Sequence, residues 1–404
     1  MLYGCLYSEF VYALHVSSWV CMNERKERAA QWFRELRDKI VDEFSAIEGE
    51  FSDSRPDIKR RTWDREGGGG GESVVIAGKV FEKAGVNFST VYGIMGDNFA
   101  REIPGAQESE GEFWASGISV VAHMQSPFVP AVHMNTRFMC TAKSWFGGGM
   151  DLTPIYYDED DKTTFHEGIR AACGKFDPEY YPRFKQKCDE YFYLHHRKEM
   201  RGVGGIFYDN LCTGDWEKDF AFTREVGECF LRVYPAIVRK NMHKTWGEKE
   251  RNFQLLKRGR YVEFNLIYDR GTRFGLMTNG NPDAIMMSMP PLVARASNRA
   301  NSLLHRGRMN PASLSGCRSS PTSGYAPEAV RIPNLIEMES LGCDGAIRIS
   351  GMPTEPVSKR NYGVVCLLPE VRCLGDQPIS ASCNEVVIGD ACGIRSASPS
   401  SLRG

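Results

Sequence analysis

AHMQSPFVPAVHMNTRF, residues 122–138, decides how the rest of the chain is read. Two strand-like runs stand either side of a loop punctuated by Pro127 and Pro130, with His123 and His133 flanking it. In Val132–Phe138, His133, Asn135 and Arg137 share one side, and Val132, Met134, Thr136 and Phe138 share the other. A sheet that merely covers a core rarely lines one face with an imidazole, an amide and a guanidinium. That face reads as the floor of a polar ligand site.

Outward from this stretch, further strand-like runs lie at Ser73–Ala77, Phe113–Met124 and Gly204–Tyr208. Tyr261–Tyr268 and Arg273–Met277 alternate around Asp-Arg-Gly-Thr, which predicts a hairpin. Helical spacing places Trp32, Phe33, Leu36, Ile40, Phe44 and Ile47 on one stripe of Glu24–Glu48. Further helical patterns cover Thr163–Cys173, Glu179–Lys198, Asp219–Arg232 and Ala236–Lys244, and the five glycines at 67–71 read as a hinge or loop. Neighbouring hairpins with helices grouped between them predict an α+β fold with a mainly antiparallel sheet covered by helices.

The 404 residues are 42% hydrophobic and 25% charged, a globular composition. A net charge of −1 provides no general field for nucleic acid or an anionic membrane. No apolar run reaches the roughly 18 residues of a spanning helix. Residues 1–22 are apolar and aromatic but lack the basic start of a signal peptide, and read as an extension upstream of a start at Met22. From Ala294 the chain is rich in Ser, Pro, Gly and Arg, so 23–292 is the expected folded unit and 293–404 an expected disordered tail. Thirteen cysteines contain no C-x-x-C pair and read as reduced thiols.

The glycine run lacks the Gly-Lys-Ser/Thr ending of a phosphate loop, and His166-Glu167 lacks the second histidine of a metalloprotease helix. Asp151 follows three glycines, as either a turn residue or a carboxylate beneath a closely approaching flat ligand. His196, Arg197 and Arg201 are placed to end a helix, where cations commonly serve the dipole. His123, His133, His166 and His196 would suit a borderline divalent metal, although their spacing does not require them to meet. Arg137, Arg201, Arg258, Arg260, Arg270 and Arg273 sit beside glycines or at strand ends, a pattern suited to a ligand with several carboxylates.

The segments GGGGGESVVIAGKVFEKAGVN, AVHMNTRF, WFGGGMDLTP, YYPRFKQKCDEYFYLHHRKEMRGVGGIFYD and GRYVEFNLIYDRGTRFGL closely resemble oxygen-dependent coproporphyrinogen III oxidases, over about Met22–Leu292. The resemblance implies a flat antiparallel sheet of about seven strands sandwiched by helices, and a homodimer. It implies oxidative decarboxylation of two propionates of coproporphyrinogen III to vinyl groups, with dioxygen as oxidant and no organic cofactor. By the same resemblance, Ser119 and Asn135-Thr136-Arg137 contact substrate and His133 donates a proton. Asp151 would meet the pyrrole N–H groups and Arg201 a propionate, with His133, Asp151 and Arg137 as the catalytic set. Gly280-Asn281-Pro282 stands where the family often has Gly-Ser-Arg, a further substrate anchor. Some members are described with a divalent metal on histidines matching His123, His133, His166 and His196; a metal-free mechanism is expected here, since His133 cannot easily be both ligand and proton donor. Members occupy the cytosol or the mitochondrial intermembrane space, and the lack of a basic leader points to the cytoplasm. Two other readings stay open: an impaired tetrapyrrole-binding homologue, and a metal-dependent oxygenase for another polycarboxylate.

Overall fold

The computed structural model describes residues 2–277, 280–294 and 329–331, with side chains described from Val20 onward apart from 98–99 and 329–331. The chain runs α1 (Leu2–Phe51), β1 (Asp57–Asp64), β2 (Gly69–Ala77), β3 (Phe81–Ile94), α2 (Asp97–Ala100), β4 (Glu112–Met124), β5 (Ala131–Cys140) and β6 (Ser144–Thr153). It continues with α3 (Glu159–Gly174), α4 (Tyr180–Tyr191), β7 (Tyr193–Leu194), β8 (Glu199–Met200), β9 (Gly204–Leu211) and α5 (Trp216–Asn241). Last come α6 (Glu248–Ile267), α7 (Arg270–Met277), α8 (Pro282–Ile285), a 3-10 turn at Met286–Ser288, β10 (Leu292–Ala294) and β11 (Ala329–Arg331).

Seven strands form one antiparallel sheet in the order β1-β2-β3-β4-β5-β6-β9, the expected α+β architecture. Its apolar side follows from period-2 alternation. Ile118, Val120 and Ala122 of β4, Val132, Met134 and Phe138 of β5, and Phe146, Met150 and Leu152 of β6 join one buried core. Phe33, Leu36, Ile40, Phe44 and Ile47 of α1 are fully buried in that core, as their helical stripe predicts. Phe165 and Ile169 of α3 and Phe222, Phe230 and Tyr234 of α5 complete the layer. Burying each such large side chain contributes roughly 1.5–3 kcal/mol, so this layer is the main source of stability.

The opposite face is held by ion pairs and hydrogen bonds. Glu82 of β3 pairs with Arg251 at 2.6 Å and Arg258 at 2.8 Å, which pins α6 across the sheet. Gln254 and Arg258 both donate to the Met124 carbonyl at the end of β4.

Several expectations change. Tyr261–Met277 is not a hairpin but the end of α6 followed by α7. The spacing that matters is Arg258, Tyr261, Phe264 and Asn265, all buried on one side, while Leu266 and Ile267 are exposed. Asp269 in the supposed hairpin turn instead accepts from the backbone N–H and hydroxyl of Thr272, opening α7. The helices expected over Asp219–Arg232 and Ala236–Lys244 are one helix, α5, which continues through Pro235, where Val233, Tyr234, Ile237 and Val238 are buried together, and ends at Asn241. The helix expected over Glu179–Lys198 stops at Tyr191, so Arg201 follows a short β7–β8 hairpin rather than a helix end. Gly67 and Gly68 make a turn at positive φ, but Gly69–Gly71 belong to β2. β1, β3 and β6 were not among the expected strands.

No described helix is long and apolar enough to cross a membrane. The described cysteines Cys21, Cys140, Cys173, Cys188, Cys212 and Cys229 carry free thiols. α1 is continuous from Leu2, so the boundary expected at residue 22 is not marked by a break in the helix. β11 pairs antiparallel with β10, Leu292 opposite Arg331; the rest of the expected disordered tail lies outside the described residues.

Candidate active site

Residues directly opposite one another in antiparallel strands project to the same side, and three rows cross the polar face of the sheet. One row holds Gly85, Val121, His133, Asp151 and Gly205; the next holds Asn87, Ser119, Asn135, Gly149 and Phe207. The third holds Ser89, Gly117, Arg137 and Gly147. With strands about 4.8 Å apart and a rise of about 3.4 Å per residue, β3–β6 present a floor roughly 14 Å on each side. Glycines keep this floor low. A Cβ on Gly147 would lie 2.9 Å from the Arg137 guanidinium, so the bare backbone there lets Arg137 rest against β6.

Elements after β9 border the floor. Tyr261 of α6 meets His123 edge-on at 4.9 Å, and Phe274 of α7 packs with Ala115, Met139 and Trp145 at the other end of the strands. Along β3, Lys83 donates to the Met289 carbonyl at 3.0 Å and Asn87 to the Ala284 carbonyl at 2.6 Å. Burial lowers the Lys83 ammonium pKa to about 8.

Asp151 is 1% exposed, and both its oxygens accept from Arg201 Nη2, at 2.7 and 2.6 Å. Its Oδ1 also meets His133 Nδ1 at 2.9 Å, which makes Nδ1 the protonated nitrogen and Nε2 the one left for chemistry. Burial alone would raise the Asp151 pKa; Arg201 and the His133 hydrogen bond outweigh it and hold the carboxyl below its usual range. Arg201 lies over Phe192, Tyr261 and Phe264 at 3.9, 4.6 and 4.8 Å, and donates to Asn265 at 3.3 Å. Asn265 in turn donates to the Ser288 hydroxyl at 3.1 Å. A fixed chain thus runs from the 3-10 turn through Arg201 and Asp151 to a half-buried imidazole. Such a histidine accepts a proton at Nε2, or donates one once charged.

The expected site residues divide into those brought together and those not. His133, Ser119, Asn135 and Arg137 share the floor, all half-buried. Arg137 donates to Asp209 at 2.7 Å, and Arg270 lies 3.7 Å from the same carboxylate. Thr136 is fully buried on the apolar side, because strand alternation turns it away from its two neighbours. Arg201 is not free at a rim for a propionate, and Asp151 is not open to a pyrrole N–H, because each is the other's buried partner. Of Gly280-Asn281-Pro282, Gly280 donates to the Gly275 carbonyl, Asn281 caps α8 by accepting from Ala284, and Pro282 is exposed.

The four histidines do not form a ligand set. His123 Nε2 meets the Ser288 carbonyl at 2.9 Å, and burial with nearby Arg258 drives its pKa well below the usual value. His166 bonds the Val203 carbonyl and the Tyr181 hydroxyl, while His196 bonds Tyr268 and Glu263. Among the described residues, no three His, Cys, Asp or Glu are placed to hold a metal ion. Lys83, Asn265 and Asp209 were not anticipated at the site. The alternation of Ala84, Val86 and Phe88 in β3 was the available signal for Lys83, since it turns that residue to the other face.

The fold is α+β, and one glycine-thinned face of its sheet carries a carboxylate-backed histidine, the arrangement of a candidate active site. A family model described as coproporphyrinogen III oxidase matches residues 28–302. The oxygen-dependent coproporphyrinogen-III oxidase of Rickettsia bellii (strain RML369-C) is 54% identical over 277 residues, which is 67% of this chain and 99% of the relative. That of Rickettsia africae (strain ESF-5) is 54% identical over 274 residues, 67% of this chain and 98% of the relative. The chain belongs to the coproporphyrinogen III oxidase family.

Proposed function

We propose that the chain is an oxidoreductase that decarboxylates two propionate side chains of coproporphyrinogen III to vinyl groups, giving protoporphyrinogen IX for haem biosynthesis. Dioxygen is the co-substrate. At each side chain the carboxylate leaves as CO₂ and one hydrogen leaves the carbon β to it. The two electrons pass to O₂, which with two protons becomes hydrogen peroxide. No organic cofactor is required, because the propionate side chain supplies the two electrons and O₂ accepts them.

The observation that carries this reading is the Arg201–Asp151–His133 chain, with His133 on the floor that holds Ser119, Asn135 and Arg137. His133 Nε2 is the proton-transfer atom. Asp151 holds its tautomer, and Arg201 keeps Asp151 ionised in a buried place. Arg137 anchors a propionate, a role suited to its half-exposed guanidinium, while Ser119 and Asn135 hydrogen-bond the macrocycle. The working form is a homodimer, for which exposed Leu266, Ile267, Leu276 and Met277 supply apolar surface; light scattering tests it.

The purified chain incubated aerobically with coproporphyrinogen III should release two CO₂ per protoporphyrinogen formed, and none without O₂. His133→Ala should lower kcat by about 10²–10⁴-fold. Binding of the tetrapyrrole without CO₂ release would instead make the chain an impaired tetrapyrrole-binding homologue.

A further inference from the structure

We infer that Asn87 is a substrate-contacting residue whose side-chain oxygen, together with that of Asn135, accepts hydrogen bonds from the pyrrole N–H groups. This rests on the functional reading above and assigns the part of the floor that meets the macrocycle centre. Asn87 and Asn135 stand on either side of Ser119 in a single row, two strand spacings or about 10 Å apart. Oδ1 of each is buried without a hydrogen-bond partner among the described residues. A buried carbonyl left unpaired is unfavourable, and two on the working face of one sheet call for a ligand that brings donors.

Charge and chemistry agree with that assignment. A porphyrinogen carries N–H donors at its centre and carboxylates at its rim, so its site needs acceptors in the middle and cations outside. Both Asp151 oxygens already accept, from Arg201 and His133, whereas the two amide oxygens accept from no described residue. The neutral amide oxygens lie in the middle row, with Arg137 in the row beyond. Asn87 also occupies a junction. Its Nδ2 donates to Ala284 of α8, which Asn281 caps, so one side chain joins the floor to the 280–282 segment. The same bond fixes the amide orientation and leaves Oδ1 as the acceptor.

The test compares coproporphyrin III, a stable free base with two N–H groups, with its palladium(II) chelate, which has the same propionates and no N–H. Equilibrium binding to the wild-type chain should favour the free base by about three- to tenfold, as one or two neutral hydrogen bonds allow. Asn87→Leu should shrink that preference about threefold or more. Asn135→Leu, which leaves the bond to Ala284 untouched, should also shrink it. Asn87→Asp keeps an acceptor but loses the donor to Ala284, so it should keep the preference even if both probes bind more weakly. An unchanged preference in Asn87→Leu would overturn the inference and leave the amide as a tie to α8. Equal binding of both probes by the wild-type chain would also overturn it. Failure of the wild-type chain to bind either probe would overturn the inference as well, whereas absence of CO₂ release from coproporphyrinogen III would overturn the functional reading beneath it.

Discussion

On one side of β5, Val132, Met134 and Phe138 are fully buried against α1, α3 and α5; on the other, His133, Asn135 and Arg137 are half-buried on a floor lowered by Gly117, Gly147 and Gly149. The apolar side needs only volume and the right period, since dispersion and burial are non-directional. The polar side needs named partners, because each buried amide, imidazole or charge must be matched in position and donor sense. The first side therefore holds the molecule together, and the second is the side proposed above for its chemistry. Four substitutions can break or sharpen that division.

Asp151→Asn should have the largest effect, and it acts on the polar side. It removes the charge that orients His133 and leaves Arg201 buried without its counter-ion. A kcat loss of about 10²–10⁴-fold is expected, with KM little changed. Breaking the buried pair should also cost about 3–5 kcal/mol in a denaturant titration. Arg201→Lys should likewise act on kcat and stability more than on KM, because the guanidinium reaches Asp151 and Asn265 rather than open solvent. Near-normal turnover in a folded Asp151→Asn chain would remove the proposed role of the chain of side chains.

Phe138→Ala tests the apolar side. The ring stacks on Phe146 at 4.5 Å and is fully buried. A loss of about 3–5 kcal/mol is expected, with kcat per folded molecule unchanged. A fall in kcat at temperatures where the variant is fully folded would show that the two faces are coupled through β5.

Lys83→Met should have the smallest effect. The folded chain holds this proton less tightly than the unfolded chain does, about 8 against an ordinary 10.5. Below pH 8 both states are protonated and the folded chain bears the whole burial penalty. The penalty fades as pH rises through 8 to 10.5, so wild-type stability should climb over that window from this group. Lys83→Met should remove that climb and stabilise the chain by about 1–3 kcal/mol at pH 7, after loss of the bond to Met289. An unaltered stability–pH profile would mean that Lys83 is well solvated.

The amino-acid sequence by itself determined the apolar side and the identity of the floor. Alternation in Val132–Phe138 assigns its two faces without any knowledge of neighbours, and the 3.6-residue stripe of α1 does the same for its burying side. It placed His133, Asn135 and Arg137 together because they belong to one strand. Tertiary structure decided what distant segments bring. Arg201 is 50 residues from Asp151, and nothing local shows that the two satisfy one another rather than a ligand. The four histidines looked equivalent as letters, yet each finds a different partner, since a side chain on any element takes whatever donor or acceptor the packing presents. Tyr261–Met277 alternates well enough for a strand, but helical burial of Arg258, Tyr261, Phe264 and Asn265 is realised only against the sheet. Periodicity is a property of one segment and can be read there. Hydrogen-bond and charge partners are a property of two, and they exist only once the sheet has assembled.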